Sequence, residues 1–297
     1  MKISLQTAND ELIIFCALKK VRALLGYSTH KEVSMMKKLV VFLSFTALGM
    51  VMIPIAQAET VRGEGRYVEQ TLDKLPTFYA IDVRGDAQVD VWQKDKQGVM
   101  VNGKSNLVAL ANIRVEDKTL IIDFARPVHV KGPHALHVTV MAPQLHAINV
   151  HNKGRVRVRG GMETAQLALM ATDKSYLTGD SIKADTLRVQ AINHAEIDLE
   201  RLHAKDLEAA SFDKAEIELS GHAEMAKLTN NGHEDMDAAD LRVDHAQVVV
   251  NAKGDVEVFA MHSLNANANG HGEIVYHGRP TLTREGNMKK IQPAFED

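Results

Sequence analysis

From Tyr67 onward the chain is written in short runs that alternate apolar and polar residues, a period of two that predicts strands rather than helices. Ala80-Ile81-Asp82-Val83, Gln88-Val89-Asp90-Val91-Trp92, Val99-Met100-Val101, Ile113-Arg114-Val115 and Thr119-Leu120-Ile121-Ile122 are such runs, punctuated by Gly85, Gly98, Gly103 and Asp117-Lys118 as turns. Leu136-His137-Val138-Thr139-Val140 follows, and after Pro143 the pattern becomes periodic on a longer scale. The blocks Asn152-Lys153-Gly154-Arg155-Val156, Asp173-Lys174-Ser175-Tyr176-Leu177, Asn193-His194-Ala195-Glu196-Ile197 and Asp213-Lys214-Ala215-Glu216-Ile217 align with one another. The frame extends through Glu234-Asp235-Met236-Asp237-Ala238, Ala252-Lys253-Gly254-Asp255-Val256 and Gly270-His271-Gly272-Glu273-Ile274. Each block is a polar turn followed by an apolar residue, and an alternating strand such as Leu187-Arg188-Val189-Gln190-Ala191 precedes it.

A two-strand unit of about 20 residues cannot bury its apolar face alone, but stacked units share ladder hydrogen bonds and one continuous core. The reading is therefore an all-β chain: a parallel β-helix of two sheets, expected to be right-handed because parallel crossovers almost always are. Val156, Leu177, Ile197, Ile217, Ala238, Val256 and Ile274 are its inward positions, and Ala171, Ala191, Ser211, Gly232 and Ala268 are the small residues before each turn. The repeats are assigned to 146–280, after an N-terminal β region 59–145 and before a polar tail 281–297. A leucine-rich repeat has a similar period but needs an inward asparagine and a helical return, and this repeat shows neither.

Ahead of the strands, Met36-Lys37-Lys38 is a basic head before the apolar run Leu39 to Ile55, and Ala56-Gln57-Ala58 has the small-x-small form that a signal peptidase cuts. Residues 35–58 read as a secretory signal cleaved between Ala58 and Glu59, and residues 1–34 as a leader ahead of the true start. The chain is expected to be exported, to the periplasm or beyond. The single cysteine, Cys16, lies upstream of that cut, so no thiol, disulfide or lipid anchor is expected in the mature chain.

Of the 35 basic and 38 acidic residues, 7 and 3 precede Glu59, which leaves 28 and 35 and a net charge of −7. That sign disfavours nucleic acid and favours cations or basic partners. Stacked repeats collect outward residues into columns: Glu196, Glu216, Asp237, Asp255 and Glu273 in one, Asp198, Glu218 and Glu257 in its neighbour. These eight are the candidate binding face, for a weakly held calcium ion or a basic ligand, against the plainer reading of a solvated face. At the turns Lys153, Lys174, His194, Lys214, Lys253 and His271 form another column, read as surface ion pairs with neighbouring carboxylates. The 14 histidines carry no zinc-ligand spacing, so no metal or other cofactor is expected. Lys153, Arg155, Arg157 and Arg159 make a basic strand. Beside clustered carboxylates such a strand could abstract a proton from a polysaccharide, the best enzymatic alternative. Phosphate loops, nucleophile elbows and dinucleotide fingerprints are absent from the sequence.

The chain resembles the head GIN domain proteins, a domain of unknown function described as autotransporter adhesins. The resemblance spans about Arg66 to Pro280. It rests on Phe78-Tyr79-Ala80-Ile81-Asp82-Val83-Arg84-Gly85, on Glu116-Asp117-Lys118-Thr119-Leu120-Ile121-Ile122, and above all on the ending Leu264-Asn265-Ala266-Asn267-Ala268-Asn269-Gly270-His271-Gly272-Glu273-Ile274-Val275-Tyr276-His277-Gly278-Arg279-Pro280. It implies a right-handed β-helix without catalytic residues and a role in adhesion. The combined expectation is an exported, non-enzymatic module that binds a protein or glycan at the cell envelope. A polysaccharide-active enzyme and a purely structural envelope component are the alternatives.

Overall fold

The computed structural model describes residues 58–132 and 136–294. The signal-type run 35–57 and the leader before it lie outside the described residues, as do His134 and the last three residues. Glu59 opens the first strand, which pairs in parallel with Val128–Lys131.

The repeats form a parallel β-solenoid of about seven turns. Inward positions stack in register: Val156 lies beside Leu177, Leu177 beside Ile197, and Ile197 beside Ile217. Leu177, Ile197 and Ile217 are all 0% exposed, so adjacent coils share one dry interior. Each such side chain contributes about 1.5–3 kcal/mol by burial, and none could be buried by its own coil alone.

Each coil has three faces. In the long strand Glu196–Asp213, alternation of buried and exposed residues breaks twice, at the exposed pairs Glu200-Arg201 and Lys205-Asp206. Two successive outward residues mark a corner, because on a straight strand one of them would point into the core. The coil thus runs through a four-residue face (196–199), a three-residue face (202–204) and a long face (206–212) before its polar turn. Neighbouring coils pair along all three. The expected two-strand coil lacks the short middle face, which reads in the sequence as an unbroken extension of the long one.

The polar turns follow from backbone conformation. Asn152-Lys153, Asp173-Lys174 and Asn193-His194 each place two successive residues at positive φ, between 53° and 69°. Asn and Asp tolerate that region best among residues with a side chain. The residue that follows is buried and small: Gly154, Ser175, Ala195 and Ala215. None of the lysines in this column is ion-paired among the described residues; backbone geometry accounts for Lys153, Lys174 and His194, and the expected ion pairing accounts for none of the lysines.

The stack extends beyond 146–280 in both directions. Ala80–Arg84 and Ala87–Gln93 are parallel rungs beneath Ala147–His151 and Arg155–Arg159. Thr119–Phe124 and Leu136–Ala142 add one more rung each. Antiparallel partners then close that end: Ala111–Glu116 on one sheet, Gly98–Lys104 and Tyr67–Thr71 on the other. The helix Ser105–Leu110 buries Leu107 there. At the other end the segment read as a polar tail supplies two further rungs, Thr281–Gly286 and Ile291–Pro293, with Ile291 only 2% exposed. Its inward apolar residues, Leu282 and Ile291, fall in different rungs and are too sparse a signal to show alternation.

Candidate functional site

The four-residue face carries the predicted carboxylates. Glu196 pairs with Glu216, and Asp198 with Glu218. Above them Ile217 pairs with Met236 and Glu218 with Asp237, so Asp237 belongs to the Asp198 column. Asp235, the residue before Met236, continues the Glu196 column instead. The columns are therefore Glu196, Glu216, Asp235, Asp255, Glu273 and Asp198, Glu218, Asp237, Glu257.

One residue causes that two-residue slip. The position filled by Gly154, Ser175, Ala195 and Ala215 is taken in this coil by exposed Glu234, so matching small residues shifts the frame. The same shift put Gly232 in the small-residue column that is in fact occupied by Asn230, the partner of Ser211 and Val250. Asn230 is 0% exposed and fills the space a small residue leaves elsewhere. Its Nδ2 donates to the carbonyls of Glu234 (2.9 Å) and Asp255 (3.1 Å). Its Oδ1 accepts from Gly232 N–H (2.8 Å) and from the Ser211 hydroxyl (3.1 Å). Every hydrogen-bonding position of the amide is used, which is the condition for burying it.

The acidic columns do two kinds of work. Asp235 Oδ1 accepts the Asp255 N–H at 2.8 Å, and Asp255 Oδ1 accepts the Glu273 N–H at 2.7 Å, so these carboxylates tie one coil to the next. Glu257 is paired with His277 at 2.6 Å. Glu196, Asp198, Glu216 and Glu218 have no cationic partner among the described residues. Burial raises the pKa of Glu216, helped by Glu196, Glu234 and Asp235. Burial likewise raises that of Glu218, helped by Asp198, Glu216 and Asp237. Asp198 is raised by burial and by the charges of Glu200 and Asp180. The face holds uncompensated negative charge at its middle.

The basic strand lies on this same face. Arg155 sits between Gln88 and Tyr176, and Arg157 between Asp90 and Thr178. The Arg155 guanidinium lies 4.9 Å from the Tyr176 ring, and Arg157 Nε donates to Thr178 Oγ1 at 3.3 Å. Arg159 pairs with Asp90 at 3.0 Å. Tyr176 and Thr178 thus separate the arginines from Glu196 and Asp198 by a full rung.

Histidines gather where no motif predicted them. The short face and its corner bring His203 and His222 to 5.9 Å between ring centres, and His245 and His262 to 5.8 Å. Asp244 lies 3.5 Å from His222 and 3.6 Å from His262. Among the described residues no group of three or more side chains is arranged to hold a metal ion. The usable signal was the 19-residue spacing of His203 and His222, one coil length. His271 of the turn column is not part of this group.

A cavity of about 510 Å³ opens near the closed end with a mixed lining, Leu72, Leu75 and Phe78 beside Asp73, Thr77 and Gln144 among others. Gln97 pins the loop over it, accepting from Phe78 N–H (3.1 Å) and donating to the Pro76 carbonyl (3.0 Å).

The family model described as "Putative auto-transporter adhesin, head GIN domain" matches residues 77–280. This chain belongs to the head GIN domain family. Among solved structures similar to this GIN domain chain is a "putative lipid binding protein" from Parabacteroides distasonis, 19% identical, with a TM-score of 0.73, covering 80% of this chain and all of that one. A "putative adhesin" from the same organism is 22% identical over the same shares, with a TM-score of 0.71. Another, from Parabacteroides merdae, is 18% identical over 80% of this chain and all of that one, with a TM-score of 0.70. At these identities the likeness is one of fold. No curated protein sequence matches the GIN domain chain.

Proposed function

We propose that this GIN domain chain is an exported, non-enzymatic binding module of the cell envelope that presents its four-residue face to a basic partner, a protein or a glycan carrying cationic groups. The observation that carries the reading is the row of outward carboxylates with no cationic partner among the described residues, Glu196, Asp198, Glu216 and Glu218, on a flat face of stacked strands. Uncompensated charge at the centre of such a face is destabilising by itself, and a cationic partner would relieve it. A calcium ion would do so weakly, since it takes six to eight oxygen ligands and the columns offer carboxylates from one side only.

Two measurements test the reading. Protease treatment of intact against lysed cells, with immunodetection, locates the chain: digestion in intact cells places it at the surface, and digestion only after lysis removes a surface adhesin role. Retention of the purified chain on cell envelopes should then fall at least tenfold when Glu196, Asp198, Glu216 and Glu218 are all changed to Gln or Asn. Unchanged retention contradicts the proposed face. The polysaccharide-lyase alternative needs Arg155 or Arg157 beside two carboxylates in a groove, and the Tyr176-Thr178 rung between them weighs against it.

A further inference from the structure

The centre of the four-residue face, the three rungs about Tyr176, is self-complementary, and we infer that it pairs with the same face of a second copy in a weak antiparallel dimer. The inference rests on the reading of this face as a binding face and names one partner for it. Outward positions along the face run, in successive rungs, Asn102 and Met100, His137 and Thr139, Gln88 and Asp90, Arg155 and Arg157, then Tyr176 and Thr178. They continue through Glu196 and Asp198, Glu216 and Glu218, Asp235 and Asp237, Asp255 and Glu257. The arginine rung and the first acidic rung stand at equal distances, ~4.8 Å, on either side of the tyrosine rung.

A two-fold axis lying in the plane of contact at the Tyr176 rung reverses the order of rungs in the second copy. Arg155 and Arg157 then face Glu196 and Asp198, and the same contact occurs twice, as an isologous interface requires. His137 faces Asp235 in the next matched rung but one. Asp90 faces Glu218, a like-charge contact relieved by Arg159, already 3.0 Å from Asp90. At the centre Tyr176 meets its own counterpart. It is 39% exposed, one of only six large hydrophobic side chains exposed among the described residues. Arg155 and Arg157, also exposed, make no ion pair within the chain among the described residues. The charges that would satisfy them are therefore unspent on the same face.

Nine rungs by four residues give a strip of about 43 Å by about 13 Å, or roughly 1,100 Å² over both copies, at the small end for a specific interface. A transient dimer, populated at tens to hundreds of micromolar chain, is expected, sensitive to salt because its pairs sit near solvent.

Sedimentation velocity of the purified chain from about 5 to 500 μM tests this at low and high salt. The unaltered chain should dimerise at low salt, with the dissociation constant raised at least tenfold at about 0.5 M salt. Arg155→Glu/Arg157→Glu alone, and Glu196→Lys/Asp198→Lys alone, should each be monomeric. An equimolar mixture of the two should recover a dimer, since the acidic copy then meets the basic one at both symmetry-related contacts. Circular dichroism and urea unfolding of each variant confirm that it is folded. A monomeric unaltered chain at 500 μM and low salt, dimers that survive both reversals, or a mixture that stays monomeric would each overturn the inference. If self-association is lost while retention on envelopes persists in the unaltered chain, the face binds a foreign partner only.

Discussion

Replacing Asn230 by Leu tests how the stack tolerates a turn that breaks its own rule. Leu has the same branched skeleton of four side-chain heavy atoms as Asn but more volume and no hydrogen-bonding group, so the substitution keeps the space filled, with some crowding, and removes four hydrogen bonds. It leaves the Gly232 N–H and the carbonyls of Glu234 and Asp255 without those partners. The Ser211 hydroxyl can turn to another acceptor. A buried polar group deprived of its partner costs ~1–3 kcal/mol, and the two carbonyls are partly relieved where they reach solvent at the turn. The expected loss is about 3–5 kcal/mol in urea unfolding followed by circular dichroism. Amide exchange should accelerate first in the coil that contains Gly232 to Asp237, because that coil loses contacts with the one above and its own turn together. A loss under about 1 kcal/mol, or exchange that rises evenly across all coils, would refute the reasoning.

Other outcomes follow from the same geometry. Glu216→Gln/Glu218→Gln should stabilise the chain at pH 7 by a few tenths to about 1 kcal/mol, the worth of opposed like charges near solvent. Because burial and neighbouring carboxylates raise both pKa values in the folded state, the folded form gains from protonation. That gain is complete below the ordinary Glu range and is lost as pH rises through the raised values, so the advantage of the variant should vanish below about pH 4. An equal advantage at pH 3 and pH 7 in thermal melts would contradict the assignment. Gly254→Ala should be strongly destabilising, since a Cβ there would lie 1.9 Å from the Glu234 carbonyl oxygen. Unfolding with less than about 1 kcal/mol lost would show that the turns are not so closely stacked. Ile217→Ala removes a fully buried side chain and should cost about 2–5 kcal/mol by chemical denaturation, against a few tenths for Lys214→Ala in the adjoining turn.

The stacking itself was legible because period two and a repeat of about 20 residues are both written in apolar side chains, and Leu177, Ile197 and Ile217 sit where that pattern puts them. The corner between the short and long faces was not. Asp185 and Thr186, or Lys205 and Asp206, look like ordinary polar residues, and only their being adjacent and both outward reveals a bend. The acidic columns were legible for Glu196, Glu216, Asp198 and Glu218. They failed for Asp237 because Glu234 occupies a position that other coils give to a small residue, and no local signal tells that Asn230 fills the gap. The ends of the stack were hidden for another reason: their rungs pair with strands distant in sequence, Ala80–Arg84 with Ala147–His151 among them, and long-range partners leave no periodic trace. The histidine corner needed the coil length before its members could be seen as neighbours.

In-register stacking of the coils is the claim on which the columns, the turns and the two-fold pairing all rest, and engineered disulfides measure it directly. Neighbouring residues in parallel coils lie ~4.8 Å apart, within the Cα separation of ~4.4–6.8 Å that a disulfide spans. The pair Glu216 and Asp237 would be about 8 Å apart in the observed register, beyond reach. Since Cys16 is the chain's single cysteine, Cys16→Ser provides a clean background. In that background Glu218→Cys/Asp237→Cys should cross-link readily under mild oxidation, read as faster migration on non-reducing gels and loss of free thiol, while Glu216→Cys/Asp237→Cys should not. Cross-linking of the second pair without the first would contradict the register and the columns built on it.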